Sequence, residues 1–260
     1  MTPTAPLFVP GHRPERFAKA AASGADAVII DLEDAVPPEE KAAARANAAA
    51  AQLEGIPVLV RINPAGTPWH AEDLVALAES DLAGILLPKA ENPVTIEGMR
   101  RMIGAMDVIA LIESARGLAA AREIAAGGVA GLGFGSLDYA ADLGCAHTRQ
   151  ALLLARSELV LASRLAGIGA PIDGVTAAIG DDALTEDDAR HAAELGFGGK
   201  LLIHPRQVAP ALRGFAPSAA EVEWAGKVMA AGGGGAVSVD GMMIDAPVRM
   251  RAERILARAR

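Results

Sequence analysis

Short apolar runs recur along the chain, at residues 7–9, 27–30, 58–60, 84–87, 108–112, 131–134, 171–175 and 201–203. Each is bounded by glycine, proline or charge, and most are separated by a stretch of helical composition. Strands alternating with helices in this way predict an α/β chain folded as a (β/α)8 TIM barrel. In that fold the active site lies where the strands end, so the polar residues closing the runs carry the chemistry. They are His12 and Arg13, then Asp31, Glu33 and Asp34, then Arg61, Lys89, Glu113, Asp138, Asp173 and His204. Acids dominate and a few bases accompany them, which suits a divalent metal and an anionic substrate.

Helix signals fall between the runs. Pro14 occupies a first helical position and Gly24 a stop. Pro37 and Pro38 open a second helix through the Ala-rich stretch to Leu53, where alanine gives strong helix propensity rather than disorder. Residues 71–80, 92–105, 115–126, 148–168 and 185–195 supply the other intervening helices. The pattern changes after Gln207. The reading is therefore a barrel over residues 1–207 and a C-terminal extension over 208–260, packed on its own barrel or on a neighbour. Within the extension, a helix spans 219–231, the run Gly232 to Gly235 makes a flexible break, and a basic helix ends the chain.

Composition narrows the class. A chain of 260 residues that is 52% hydrophobic can bury one large core, and with 3% aromatics that core must be built from Ala, Leu, Val and Ile. No apolar stretch reaches spanning length, since Arg156, Glu158 and Arg164 interrupt the longest. The charges that follow the first run are unlike a signal peptide. The single cysteine, Cys145, excludes an internal disulfide and fits a reducing, cytoplasmic location. A net charge of −8 argues against nucleic acid.

Glu113 and Asp138 close consecutive runs, so their carboxylates can lie within reach of one Mg2+, which takes few carboxylates plus water and substrate oxygens. The alternative is that each caps the helix that follows. Asp31, Glu33 and Asp34 place three acids within four residues, so a positive group is expected beside them. They read as supports to the site, or else as a solvated loop. Arg61 either binds a substrate carboxylate bidentately and stabilises oxyanion charge, or forms an internal salt bridge to Asp31 or Glu33. Lys89 admits a Schiff-base chemistry, against an ion pair with Glu91 or Glu113. Lys200 begins its strand and belongs at the opposite face; His204 stays off the catalytic set. The Gly131–Gly135 pattern lacks dinucleotide spacing. On local sequence alone, Asp245 before Pro247 is a helix N-cap.

Taken in order, these motifs resemble the citrate lyase beta-subunit-like family of the aldolase/citrate lyase superfamily. The resemblance runs through Leu7-Phe-Val-Pro-Gly-His-Arg-Pro-Glu-Arg, Asp31-Leu-Glu-Asp-Ala-Val, Arg61-Ile-Asn, Leu87-Pro-Lys and Leu111-Ile-Glu-Ser. It continues through Phe134-Gly-Ser-Leu-Asp, Gly199-Lys-Leu-Leu-Ile-His-Pro and Gly241-Met-Met-Ile-Asp-Ala-Pro. Ser114 departs from it mildly, standing where threonine is frequent.

The resemblance implies a Mg2+-dependent lyase that makes or breaks a carbon–carbon bond between a 2-oxo acid and an acyl-CoA. Glu113 and Asp138 would hold the metal, with Glu113 also at the substrate. Arg61 would bind substrate and stabilise charge, and the acids 31–34 would hold metal-bound waters. Asp245 would be a catalytic base contributed by a neighbouring subunit of a homotrimer. Arg13, Arg16 and Lys19 are positioned to meet CoA phosphates. The expected substrates are citryl-CoA or malyl- or citramalyl-type thioesters. The alternatives are a metal-dependent aldolase on free 2-oxo acids and a non-autonomous subunit of a citrate lyase complex.

Overall fold

In the computed structural model, which describes residues 2–231, 237–239 and 242–259, eight parallel strands pair in sequence order. They are β1 (Pro6–Pro10), β2 (Ala27–Asp31), β3 (Val58–Arg61), β4 (Gly84–Leu87), β5 (Asp107–Ile112), β6 (Gly131–Phe134), β7 (Ile172–Asp173) and β8 (Gly199–Lys200). Beyond β8 the chain stays extended beside β1. Phe8 donates its N–H to Leu202 O at 2.8 Å, and Leu202 donates to Pro6 O at 3.0 Å. These bonds bring the last strand back to the first, and the (β/α)8 TIM-barrel fold follows.

Between strands lie α1 (Phe17–Ala21), α2 (Lys41–Ala49), α3 (His70–Leu77), α4 (Pro93–Ile103), α5 (Ala115–Ala119), α6 (Ala121–Ala126), α7 (Ser136–Leu143), α8 (Leu153–Ala166) and α9 (Asp182–Leu195). The single helix expected over 115–126 is broken at Ala120, whose backbone (φ −93°, ψ 1°) leaves the α-helical region. Asn92 caps α4 as its sequence suggests, its side chain accepting from Val94 N.

Alternation along the strands sorts side chains into two cores. Ile29, Leu59, Leu86, Ile109, Leu111, Ile172 and Leu201 fill the barrel interior with Phe8. Val28, Ile30, Val60, Ile85, Leu87, Ala110 and Leu202 face the helices. A strand changes face at every residue, so this parity also decides where each strand-end polar residue points. Asp31, Arg61 and Glu113 share the interior parity, whereas Asp173 and Lys200 share the outer one.

After β8, α10 (Val208–Phe215) packs on α9, and its Val208, Ala211 and Phe215 belong to the same core as the barrel helices. The packing boundary therefore lies after Phe215 rather than after residue 207. Beyond it come α11 (Ala219–Ala230), β9 (Val237–Val239), β10 (Met242–Ile244) and α12 (Ala246–Arg258). The two strands pair antiparallel, and Ala225, Val228, Ile244, Ala252 and Ile255 form a small core of their own. The expected break at Gly232 to Gly235 lies outside the described residues. Among the described residues no helix is long and apolar enough to cross a membrane.

Candidate active site

At the C-terminal ends of the strands, Arg61 is the hub. Its Nε and Nη2 each donate to Asp31 at 2.7 Å, a bidentate pair. Its Nη1 lies 3.0 Å from Glu33 Oε2 and donates to Asp34 Oδ2 at 3.4 Å. The Phe8 ring covers the guanidinium at 4.9 Å. Burial alone would ease the proton off this arginine, but the charges of Asp31, Glu33 and Asp34 hold it on more firmly than usual. The internal salt bridge weighed from sequence is thus present, and Asp31 also accepts from the N–H groups of Glu33 and Ala35 at 2.9 and 3.0 Å.

Lys89 supplies the second cation expected beside the acids. Its Nζ donates to Glu33 Oε1 at 3.0 Å. Burial lowers its proton affinity, but Glu33, Asp34 and Glu113 outweigh that, and its pKa is raised. A lysine held protonated is a poor nucleophile, which weighs against the Schiff-base chemistry. Its expected carboxylate partner, Glu91 or Glu113, is instead Glu33; Glu113 is met by the Lys89 backbone.

Glu113 follows β5 directly and is buried. Its Oε1 accepts the backbone N–H of Lys89 at 2.7 Å, while Oε2 has no hydrogen-bond partner. Burial, then the charge of Glu33 and next that of Asp138, push its carboxyl up to about 8, against the pull of the Lys89 N–H and Arg61. Room for this carboxylate comes from β6. Gly133 and Gly135 have the interior parity there, and a Cβ at Gly135 would collide with Glu113 Oε2.

Asp138 is placed differently from the expectation. It does not end a strand: β6 stops at Phe134, and Asp138 is the third residue of α7. A carboxylate in a helix's first turn is favoured by the helix dipole, and here it also lines the main cavity. That cavity, of ≈ 390 Å3, is bounded by Asp31, Asp34, Arg61 and Asp138 on its polar side. Phe8, Leu111, Phe134, Val175, Leu201 and Ile203 are among its apolar walls. A second cavity of ≈ 400 Å3 shares Phe8, Pro10 and Ile203 with the first and is flanked by Arg16, Lys19 and His204. Arg13 lies exposed, its Nε donating to Glu15 at 2.6 Å.

Other strand-end groups lie apart. Asp173 and Lys200 sit behind the barrel wall, where Asp173 takes Arg156 Nε at 2.8 Å and lies 3.6 Å from Lys200 Nζ. His204 is exposed and accepts from Arg206 N at 3.1 Å. Asp245 caps α12, accepting from Val248 N at 3.0 Å, and is exposed in the extension. Two residues with no assigned role support the site. Lys41, buried at the start of α2, donates to Leu32 O, Glu33 O and Asn63 Oδ1 at 2.6–2.7 Å. Asn63 in turn donates through N and Nδ2 to the buried Asp73. Nothing marks Lys41 out within its Ala-rich stretch; Asn63, two residues after Arg61 and of the same parity, carried a readable signal.

The donor set fits a small hard cation. Among the described residues no three His, Cys, Asp or Glu side chains form a metal cluster. What the site offers is a pair of carboxylates, one with an unpartnered buried oxygen, beside an open cavity. Mg2+ takes such a pair and completes its shell with water and substrate oxygens.

A family model described as HpcH/HpaI aldolase/citrate lyase matches residues 5–205. This chain belongs to the HpcH/HpaI aldolase/citrate lyase family. A citrate lyase subunit beta-like protein of Mycobacterium tuberculosis is 40% identical over 97% of this chain and 94% of its own. A (3S)-malyl-CoA thioesterase of Cereibacter sphaeroides is 34% identical over 97% and 93%. The crystal structure of CitE from M. tuberculosis with magnesium, acetoacetate and coenzyme A superimposes with a TM-score of 0.89 at 39% identity. That match covers 98% of this chain and 97% of the other. Lyases of this HpcH/HpaI kind and a thioesterase thus share one barrel.

Proposed function

We propose that this chain is a Mg2+-dependent carbon–carbon lyase that cleaves or forms a hydroxyacyl-CoA thioester, giving acetyl-CoA and a 2-oxo acid. The observation that carries this reading is Glu113: a buried carboxylate with one unpartnered oxygen, raised by Glu33 and Asp138, at the mouth of an open cavity. Similarity to CitE, crystallised with magnesium and coenzyme A, supports the same assignment.

Glu113 and Asp138 would hold the metal. Bound there, Mg2+ supplies Lewis-acid polarisation of the substrate oxygen whose charge changes as the carbon–carbon bond breaks. Arg61 orients the substrate through Nη1, its one nitrogen held only by a 3.4 Å hydrogen bond and an ion pair. Asp31 and Glu33 fix the guanidinium, and Lys89 neutralises Glu33. Asp34 completes the acidic rim that would order water. Asp245 of a neighbouring copy in a homotrimer would act as the base, taking the hydroxyl proton in cleavage or an acyl methyl proton in condensation. The second cavity, with Arg16 and Lys19, suits the CoA phosphates, with Arg13 at its outer approach.

Cleavage of a panel of hydroxyacyl-CoA thioesters, with Mg2+ and with EDTA, tests the reading on wild type and Glu113→Gln. Activity that needs both the metal and Glu113 supports it. A folded, Mg2+-binding protein that cleaves none of them sinks it. Release of free CoA without acetyl-CoA would instead assign a thioesterase, the activity named for the Cereibacter relative.

A further inference from the structure

We infer that the 2-oxo acid handled by this site is a monocarboxylate with a hydrogen or small alkyl substituent, and not a dicarboxylate. This rests on the lyase reading above and names its substrate class. A 2-oxo acid presents one carboxylate and one keto oxygen to the metal and Arg61, so specificity depends on what surrounds its third substituent. A dicarboxylate places a second anion there, and an anion removed from water must find a cation or several donors.

The cavity offers neither. Arg61 is the one basic side chain among the described residues lining it, and Asp31 already occupies two of its nitrogens while Glu33 and Asp34 share the third. Lys89, the nearest other cation, is spent on Glu33. The rest of the polar rim is acidic: Asp31, Asp34 and Asp138. Around the mouth five carboxylates, Asp31, Glu33, Asp34, Glu113 and Asp138, face two cations, so a divalent metal leaves the site negative before any substrate enters. A first carboxylate is accepted because the metal chelates it together with the keto oxygen. A second gains no such contact and meets the acids. The opposite wall, including Leu111, Val175, Leu201 and Ile203, gives a methyl or ethyl group a dry surface.

The test is calorimetric titration of the Mg2+-loaded protein with glyoxylate, pyruvate, 2-oxobutyrate and oxaloacetate, followed by condensation of each with acetyl-CoA. At least one monocarboxylate should bind about tenfold or more tightly than oxaloacetate, and turn over in the same order. Ile203→Arg, at a half-open position on the apolar wall, should narrow that gap by strengthening oxaloacetate. Oxaloacetate binding as tightly as the best monocarboxylate in wild type, or no narrowing by Ile203→Arg in a folded protein, would overturn the inference. The lyase reading fails separately: the monocarboxylates would bind in the stated order, yet no carbon–carbon bond would form or break with any acyl-CoA.

Discussion

Lys89 donates its backbone N–H to Glu113 Oε1 at 2.7 Å from a left-handed backbone, φ 47°. It is the one non-glycine residue with positive φ among the described residues. A side chain in this conformation costs roughly 1–2 kcal/mol, and glycine removes that cost. Lys89→Gly and Lys89→Ala both lose the ion pair to Glu33, so their difference isolates the backbone. Lys89→Gly should exceed Lys89→Ala in unfolding free energy by about 1 kcal/mol, read from denaturant melts. Equal stability would mean that the strain is relieved elsewhere. Borohydride added with a 2-oxo acid should trap no adduct at Lys89, because its ammonium stays protonated beside Glu33.

The carboxyl of Glu113 gives the metal-free protein a pH dependence of definite sign. Its pKa rises from 4.5 to about 8 on folding. Below pH 4.5 both states hold the proton and the contribution is complete. Between 4.5 and 8 the unfolded chain has released a proton that the folded one keeps, so stability falls as pH rises, by at most ~1.4 kcal/mol per pH unit from this group. Glu113→Gln should flatten that part of the profile in EDTA. Mg2+ binds the ionised form, so its affinity for wild type should climb with pH up to about 8. An affinity independent of pH over this window would remove Glu113 from the ligand pair.

Gly135 is predicted to be irreplaceable for a steric reason. A Cβ there overlaps the Glu113 carboxylate, and the φ of −81° is one that alanine adopts readily. Backbone strain is therefore not the issue. Gly135→Ala should leave a folded barrel but weaken Mg2+ binding at least tenfold, because Glu113 must turn away. Unchanged Mg2+ affinity in calorimetry would show that the carboxylate has another way to sit.

Much of this was legible in the strands because a strand shows its parity in the alternation of its residues. Asp31, Arg61 and Glu113 each continue a run at the interior parity, and the fold brings them together. Asp173 and Lys200 are equally close to strand ends but one step out of phase, so they serve the barrel's outer packing. Asp138 was misplaced because Gly131 to Gly135 carries no side-chain cap to announce α7, and Gly135 fills the N-cap with no side-chain bond. Lys41 was invisible because burial of a lysine depends on acceptors distant in sequence, Leu32, Glu33 and Asn63. The boundary after Phe215 was equally hidden, since α10 and α11 are both amphipathic and only packing distinguishes the core each one joins.

The assignment of Asp245 as a base supplied by a neighbour can be tested without knowing the substrate pose. Asp245 is exposed and caps α12 within a core separate from that of the barrel. Asp245→Asn keeps a side-chain oxygen for the cap, so stability should change by only a few tenths of a kcal/mol. Glu113→Gln and Asp245→Asn should each be inactive alone. In a ring of identical subunits each site would combine Glu113 of one chain with Asp245 of the next. Co-refolding equal amounts of the two variants then creates intact sites at about one interface in four. Activity should return toward about a quarter of wild type on that statistical ground, at an oligomer mass verified by light scattering. If Asp245 serves its own chain, every site in the mixture lacks one partner and activity stays at the level of the single variants.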